Sequence, residues 1–127
     1  MAFTDQTLSK DSATDADSNT QVFSVRYADS DGSKFAVSGL TAPDERTLAI
    51  SHTTDKNGNV RTVVRIDCVA VDSNLVPATA SVYFNMVRPP SSAFSNADII
   101  GLTNQLVDFL IEGGSNANVT KLINQEV

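Results

Sequence analysis

Apolar and polar residues alternate most clearly between Val60 and Val71. The even positions Thr62, Val64, Ile66, Cys68 and Ala70 are mostly apolar, while the odd positions begin Arg61, Val63, Arg65, Asp67. A period of two predicts a strand with one core face and one polar face. In Arg46 to Thr54 the apolar even positions are Leu48 and Ile50, and Thr47, Ala49, Ser51 and Thr53 share the other side. The two strands must therefore pair even with even. A two-residue turn at Asn57-Gly58 would set Lys56 against Asn59 and every apolar side chain against a polar one. A three-residue loop, Lys56-Asn57-Gly58, with Gly58 left-handed, removes that conflict. Ile50 then opposes Val64 and Leu48 opposes Ile66 on the core side. On the polar side Thr53 opposes Arg61, Ser51 opposes Val63 and Ala49 opposes Arg65.

A further strand, Thr79 to Val87, separates Ala80, Val82, Phe84 and Met86 from Ser81, Tyr83, Asn85 and Val87, and Pro89-Pro90 stops it. Ser95 or Asn96 caps a helix whose apolar residues Ile99, Leu102, Leu106, Phe109 and Leu110 follow helical spacing, with Gly113-Gly114 as its end. A short helix is expected over 118–124. Toward the N-terminus, Ala2 to Leu8 reads as a short strand and Ser9 to Asn19 as a solvated loop. Gln21 to Tyr27 reads as a strand with Phe23, Val25 and Tyr27 on its apolar side. Asp29-Ser30-Asp31-Gly32 is a turn, Lys34 to Ser38 another strand, and Thr41 to Asp44 a loop. Strands followed by helices predict a single α+β domain over residues 1–127: N-terminal strands and hairpin in 1–40, antiparallel sheet in 45–88, helices in 95–127. The apolar sheet face needs helical cover.

Composition narrows the function. The 127 residues carry 9 Lys+Arg against 15 Asp+Glu, a formal net charge of −6, with one Cys and no Trp. A lone Cys68 excludes a disulfide framework and thiolate zinc ligation. Nothing approaches the roughly 18 apolar residues of a membrane span. The opening Met-Ala-Phe-Thr-Asp lacks the basic and apolar regions of a secretory leader, so none is expected. The charge is uneven: net −5 from Met1 to Glu45, +2 from Arg46 to Ala97 and −3 from Asp98 onward. An acidic chain thus has a locally basic middle, where strand alternation puts Arg61 and Arg65 on one face.

Several candidate groups have structural explanations. His52 falls on the core face near the hairpin tip, and Cys68 reads as a small buried apolar residue. The Asp11 to Asp17 cluster lacks the ligand spacing and glycine of a helix-loop-helix calcium site. Arg61 and Arg65 either solvate an exposed face or meet phosphates. Tyr83 is either a half-buried sheet aromatic or a platform for a base, and Asn85 either satisfies cross-strand groups or reads a ligand. No nucleophile, metal or phosphate motif marks an enzyme, and no cofactor is expected. A small α+β ligand-binding or enzymatic domain with a pocket between sheet and helices remains the alternative, with a sheet-face binding module behind it.

The hairpin from Thr47 to Cys68, the segment Tyr83-Phe-Asn-Met86 and the closing amphipathic helix, in that order, resemble the coat proteins of single-stranded RNA bacteriophages, the levivirus type. The match covers about Arg46 to Glu112 and is topological before that. The resemblance implies an N-terminal hairpin, a five-stranded antiparallel sheet and two C-terminal helices, in an intertwined homodimer with one continuous sheet. It further implies an icosahedral shell around genomic RNA, and binding of an RNA hairpin that represses replicase translation. The protein would reside in the virion capsid, and in the bacterial host cytoplasm during assembly, with no membrane partner and no metal.

By the same resemblance, Arg61 and Arg65 fall where basic side chains meet RNA, Tyr83 where a ring stacks on an unpaired base, and Asn85 where an amide reads backbone or base edge. Ser51 falls in an adenine pocket, and Thr53 beside it on the same face. Stacking and charge-assisted phosphate contacts are the usual means of recognising RNA loops. Ala49 and Val63 stand where family members often carry threonine, which implies a different hairpin specificity. Asp72, Ser73, Asn74, Leu75, Val76 and Pro77 match the loop that makes contacts around the shell's symmetry axes.

Overall fold

A computed structural model describes residues 3–9, 20–111 and 116–126. The expected end of the first helix at Gly113-Gly114 and the Asp11 to Asp17 loop lie outside these. The chain forms two compact units, Met1–Val87 and Arg88–Val127.

The first unit is a sheet of six strands in sequence order: β1 (Gln6–Ser9), β2 (Thr20–Ala28), β3 (Gly32–Val37), β4 (Glu45–Thr54), β5 (Val60–Val71) and β6 (Pro77–Arg88). The expected hairpin plus five-stranded sheet is thus one sheet of six, because β1 pairs with β2 and β2 continues the ladder onto β3. Alternation set the longest hairpin as argued: Ile50 opposes Val64, Leu48 opposes Ile66, and Ala49 opposes Arg65. The Asp55 amide bonds the Asn59 carbonyl at 3.0 Å, closing the loop Lys56-Asn57-Gly58 with Gly58 at φ 84°. The Asp55 carboxylate accepts the amides of Asn57 (2.8 Å) and Asn59 (3.0 Å) and the Asn59 side chain (2.9 Å). These bonds, the Asn59 side chain first, hold Asp55 below the usual carboxylate range.

The core face buries Phe23, Phe35, Leu48 and Ile50, with Leu8, Val37, Val64 and Ile66 packed against them. Tyr27 is not among them. A bulge shifts the β2 register between Val25, opposite Phe35, and Tyr27, opposite Lys34. The inserted Arg26 turns Tyr27 to the other face, so the simple alternation expected across Gln21 to Tyr27 breaks there. Cys68 is half-buried rather than buried, as are Val64 and Ile66 on the same face of β5, and Arg46, directly opposite, places a guanidinium nitrogen 3.4 Å from its Sγ. His52 lies on the core side but exposed, its Nδ1 2.9 Å from the Thr62 hydroxyl.

The second unit holds α1 (Asn96–Ile111) and α2 (Ala117–Ile123). Ser95, not Asn96, caps α1. Its hydroxyl accepts the Asp98 amide (3.2 Å), while the Asp98 carboxylate accepts the Ser95 amide and hydroxyl (both 2.8 Å). This reciprocal box satisfies orphan donors of the first turn and lowers the Asp98 pKa through the bonds from Ser95. The Asn118 side chain donates to the Phe109 carbonyl at 2.7 Å, tying α2 to the end of α1. No described residue of either helix is buried. Among the described residues no helix is long and apolar enough to cross a membrane.

Candidate nucleic-acid interface

Pairing register lays the polar face of the sheet out as rows running across the strands. The central row reads Tyr27, Lys34, Ala49, Arg65 from β2 to β5. The β5–β6 hairpin extends it. The Asp72 amide bonds the Val76 carbonyl at 3.0 Å, and the Ser81 hydroxyl donates to the Asp67 carboxylate. Both pairs have the same offset, which continued along the strands sets Arg65 opposite Tyr83, Val63 opposite Asn85 and Arg61 opposite Val87. One neighbouring row is therefore Gly32, Ser51, Val63, Asn85, and beyond it lie Thr53, Arg61 and Val87. On the other side run Ser24, Ala36, Thr47, Asp67 and Ser81.

All six residues singled out from the sequence, Ser51, Thr53, Arg61, Arg65, Tyr83 and Asn85, thus share one face, and all are exposed. Tyr83 is 66% exposed, so its ring is not part of a core. Arg61 stands near Asp55 and contributes to lowering its pKa. Arg65 makes the one ion pair found among the described residues: its Nε lies 2.8 and 2.7 Å from the two Asp67 carboxylate oxygens. Hydrogen bonds from Ser81 first and Arg65 second, with the charges of Arg65 and Lys34, hold Asp67 below the usual carboxylate range. The face can therefore present cations, hydroxyls, an amide and a ring to a ligand carrying phosphates and flat bases.

Tyr27, Lys34 and Asp67 were not singled out beforehand. Two signals were present: Lys34 precedes Phe35, whose burial forces its neighbour to the opposite face, and Asp67 shares parity with Arg65. The bulge that re-aims Tyr27 left no such trace.

The six residues Asp72 to Pro77 are all exposed, and Pro77 is already the first residue of β6. The Asp72 carboxylate accepts the amides of Asn74 (2.8 Å) and Val76 (3.0 Å), and Leu75 is left-handed at φ 63°. This turn repeats the Asp55 turn, with leucine where that one has glycine. On the core face, a concavity of about 430 Å³ is lined by residues including Leu8, Phe23, Arg46, Ile66, Cys68 and Val82. No histidine or carboxylate is among the described residues that line it. Among the described residues no cluster of His, Cys, Asp and Glu could hold a metal ion.

Neither a protein-family model nor a curated protein matches the chain. Solved structures do. The coat protein of bacteriophage EMS014 superposes with a TM-score of 0.77 at 14% identity, over 99% of this chain and 98% of that one. The virus-like particle of Beihai levi-like virus 21 gives 0.69 at 10% identity, over 98% and 95%. An unassembled bacteriophage coat protein, described as an RNA-binding dimer, gives 0.63 at 9% identity, over 98% and 95%. The chain has the coat-protein fold of the RNA bacteriophages.

Proposed function

We propose that this chain is a bacteriophage coat protein that dimerises, assembles into an icosahedral shell and packages single-stranded genomic RNA against the polar face of its sheet. The observation that carries this reading is how little the chain buries alone. Among the described residues the buried apolar core is Phe23, Phe35, Leu48 and Ile50, while Val82, Tyr83, Leu102, Leu106, Phe109 and Ile123 are among twenty exposed large apolar or aromatic side chains. Monomers rarely leave that much apolar surface in water, and obligate assemblies bury it between copies. β6 is also an edge strand of twelve residues, and such an edge is a template for pairing. Pairing two β6 edges would make one continuous sheet, and the helices of one protomer would cover the other's core face. In that arrangement the concavity is the seat of a partner element and not a catalytic cleft, and the protein acts without chemistry of its own.

Within the shell, Arg61 and Arg65 would meet phosphates, Tyr83 would stack on a base, and Ser51, Thr53 and Asn85 would supply hydrogen bonds. The same face would bind an RNA hairpin and so repress replicase translation. Asp72 to Pro77 would make the contacts around the symmetry axes. The virion is the site of action, with assembly in the host cytoplasm. Replacing Arg61 and Arg65 with alanine tests the RNA assignment: affinity for single-stranded RNA should fall, and its salt slope should flatten by about 0.7 per lost phosphate contact. Unchanged binding removes both residues from the site.

A further inference from the structure

The central row of the polar face carries an aromatic ring at each end and a cation beside each ring: Tyr27 and Lys34 on β2 and β3, Arg65 and Tyr83 on β5 and β6. Ala49 separates the two halves with a single methyl group. Four inter-strand spacings of about 4.8 Å make the row roughly 19 Å long. The Tyr83 half belongs to the RNA assignment already made. The Tyr27 half does not, and nothing in the core explains it.

Tyr27 is 56% exposed, and it reaches this face only because of the bulge at Arg26. That bulge is built in. The Asp5 carboxylate accepts the Val25 amide at 2.8 Å, and the Arg26 guanidinium reaches the Ser38 hydroxyl at 3.5 Å. Without it, Tyr27 would join Phe23 and Val25 on the apolar side. A bulge that moves a large ring from the apolar to the polar face, opposite a lysine, loses burial. Bulges of this kind typically re-aim a side chain for function. Residues directly opposite across a ladder have Cβ atoms about 5 Å apart, so the Lys34 ammonium is within reach of a phosphate whose base lies on the Tyr27 ring. Asp67 offsets one charge here, but Lys34 and Arg65 leave the row net positive.

We propose that Tyr27 and Lys34 form a second nucleotide subsite, in which an unpaired base of single-stranded RNA stacks on Tyr27 and its phosphate is met by Lys34. This rests on the polar face being the RNA-binding face, and it lengthens that site across the whole sheet.

The chain has two tyrosines and no tryptophan, so its tyrosine emission comes from the two rings in question. In a Tyr83→Phe variant only Tyr27 emits. Titration of that full-length variant with a 12-nucleotide single-stranded RNA should quench the emission, and an abasic oligonucleotide of equal length should not. Tyr27→Ala should weaken binding about 5- to 100-fold and Tyr27→Phe should restore it. Lys34→Ala should lower the salt slope by about 0.7. If the RNA binds while Tyr27 emission is unchanged, or if the abasic strand quenches equally, the subsite is wrong and the RNA-binding face stands. If the wild-type chain binds no RNA, both fall together.

Discussion

Arg65 lays its Nε against both carboxylate oxygens of Asp67, two residues along the same strand and on the same face, at 2.8 and 2.7 Å. No bond from its terminal nitrogens is found among the described residues, so the pair orients the guanidinium without consuming its outer edge. An RNA phosphate arriving at Arg65 nevertheless meets the field of Asp67. Replacing Asp67 with Asn should therefore raise affinity for single-stranded RNA a few-fold and reduce discrimination between sequences, measured by filter binding across a salt series. An unchanged or weaker affinity would mean that Asp67 contributes orientation alone.

Acid should act through three carboxylates. Asp55, Asp67 and Asp98 each have a pKa lowered in the folded chain by the hydrogen bonds they accept. A lowered folded pKa contributes stability that is present above the unfolded value, about 3.9, and lost as pH falls through the folded value. Tm should be flat between about pH 5 and 7 in this respect and should decline below about pH 4. Substituting all three with Asn should flatten that decline; a decline of equal steepness in the triple variant would place the acid sensitivity elsewhere.

The two hairpin turns of the Asp-x-Asn type place different residues at the left-handed position, Gly58 in one and Leu75 in the other. A left-handed leucine is disfavoured by about 1–2 kcal/mol, offset in part by the greater chain entropy glycine loses. Leu75→Gly should therefore stabilise the fold by up to about 1 kcal/mol in urea melts, and Gly58→Leu should destabilise it by about 1–2 kcal/mol. The Leu75 side chain is 82% exposed, so no packing within the chain offsets its backbone conformation. A more stable Leu75→Gly protein that assembles poorly would fit the shell-contact role; normal assembly would remove Leu75 from it.

Gly32 stands opposite Ser51 on the polar face, and a Cβ added there would run into the Ile50 carbonyl oxygen and come within 3.3 Å of the Ser51 Cα. Both are backbone atoms of a central strand and cannot step aside. Gly32→Ala should cost about 1–3 kcal/mol, read as a lower urea midpoint at unchanged slope.

The β4–β5 hairpin could be read from sequence because one constraint, apolar against apolar, admitted a single loop length, and Gly58 supplied the conformation that loop requires. The parity of Arg61, Arg65, Tyr83 and Asn85 followed from the same rule. Tyr27 could not be read that way: Arg26 fits the local alternation as an ordinary solvent-facing residue, and its extra step shows only against the register of β3. Sequence alone offers both Ser95 and Asn96 as the cap of α1, and the reciprocal bonds of Ser95 and Asp98 decide it. Cys68 reads as buried because it shares an apolar parity with Val64 and Ile66, but a cross-strand arginine, invisible along one strand, lies against it.

The acidic net charge of −6 coexists with the basic half-rows of the polar face, so shape-specific contacts and assembly should govern packaging more than bulk attraction. The most direct measurement is electron microscopy of the purified protein, paired with nuclease digestion of whatever RNA co-purifies. The coat-protein reading predicts large, uniform, closed particles whose RNA survives the nuclease. A 13.5 kDa chain or its dimer under all conditions tried, with no protected RNA, would contradict it.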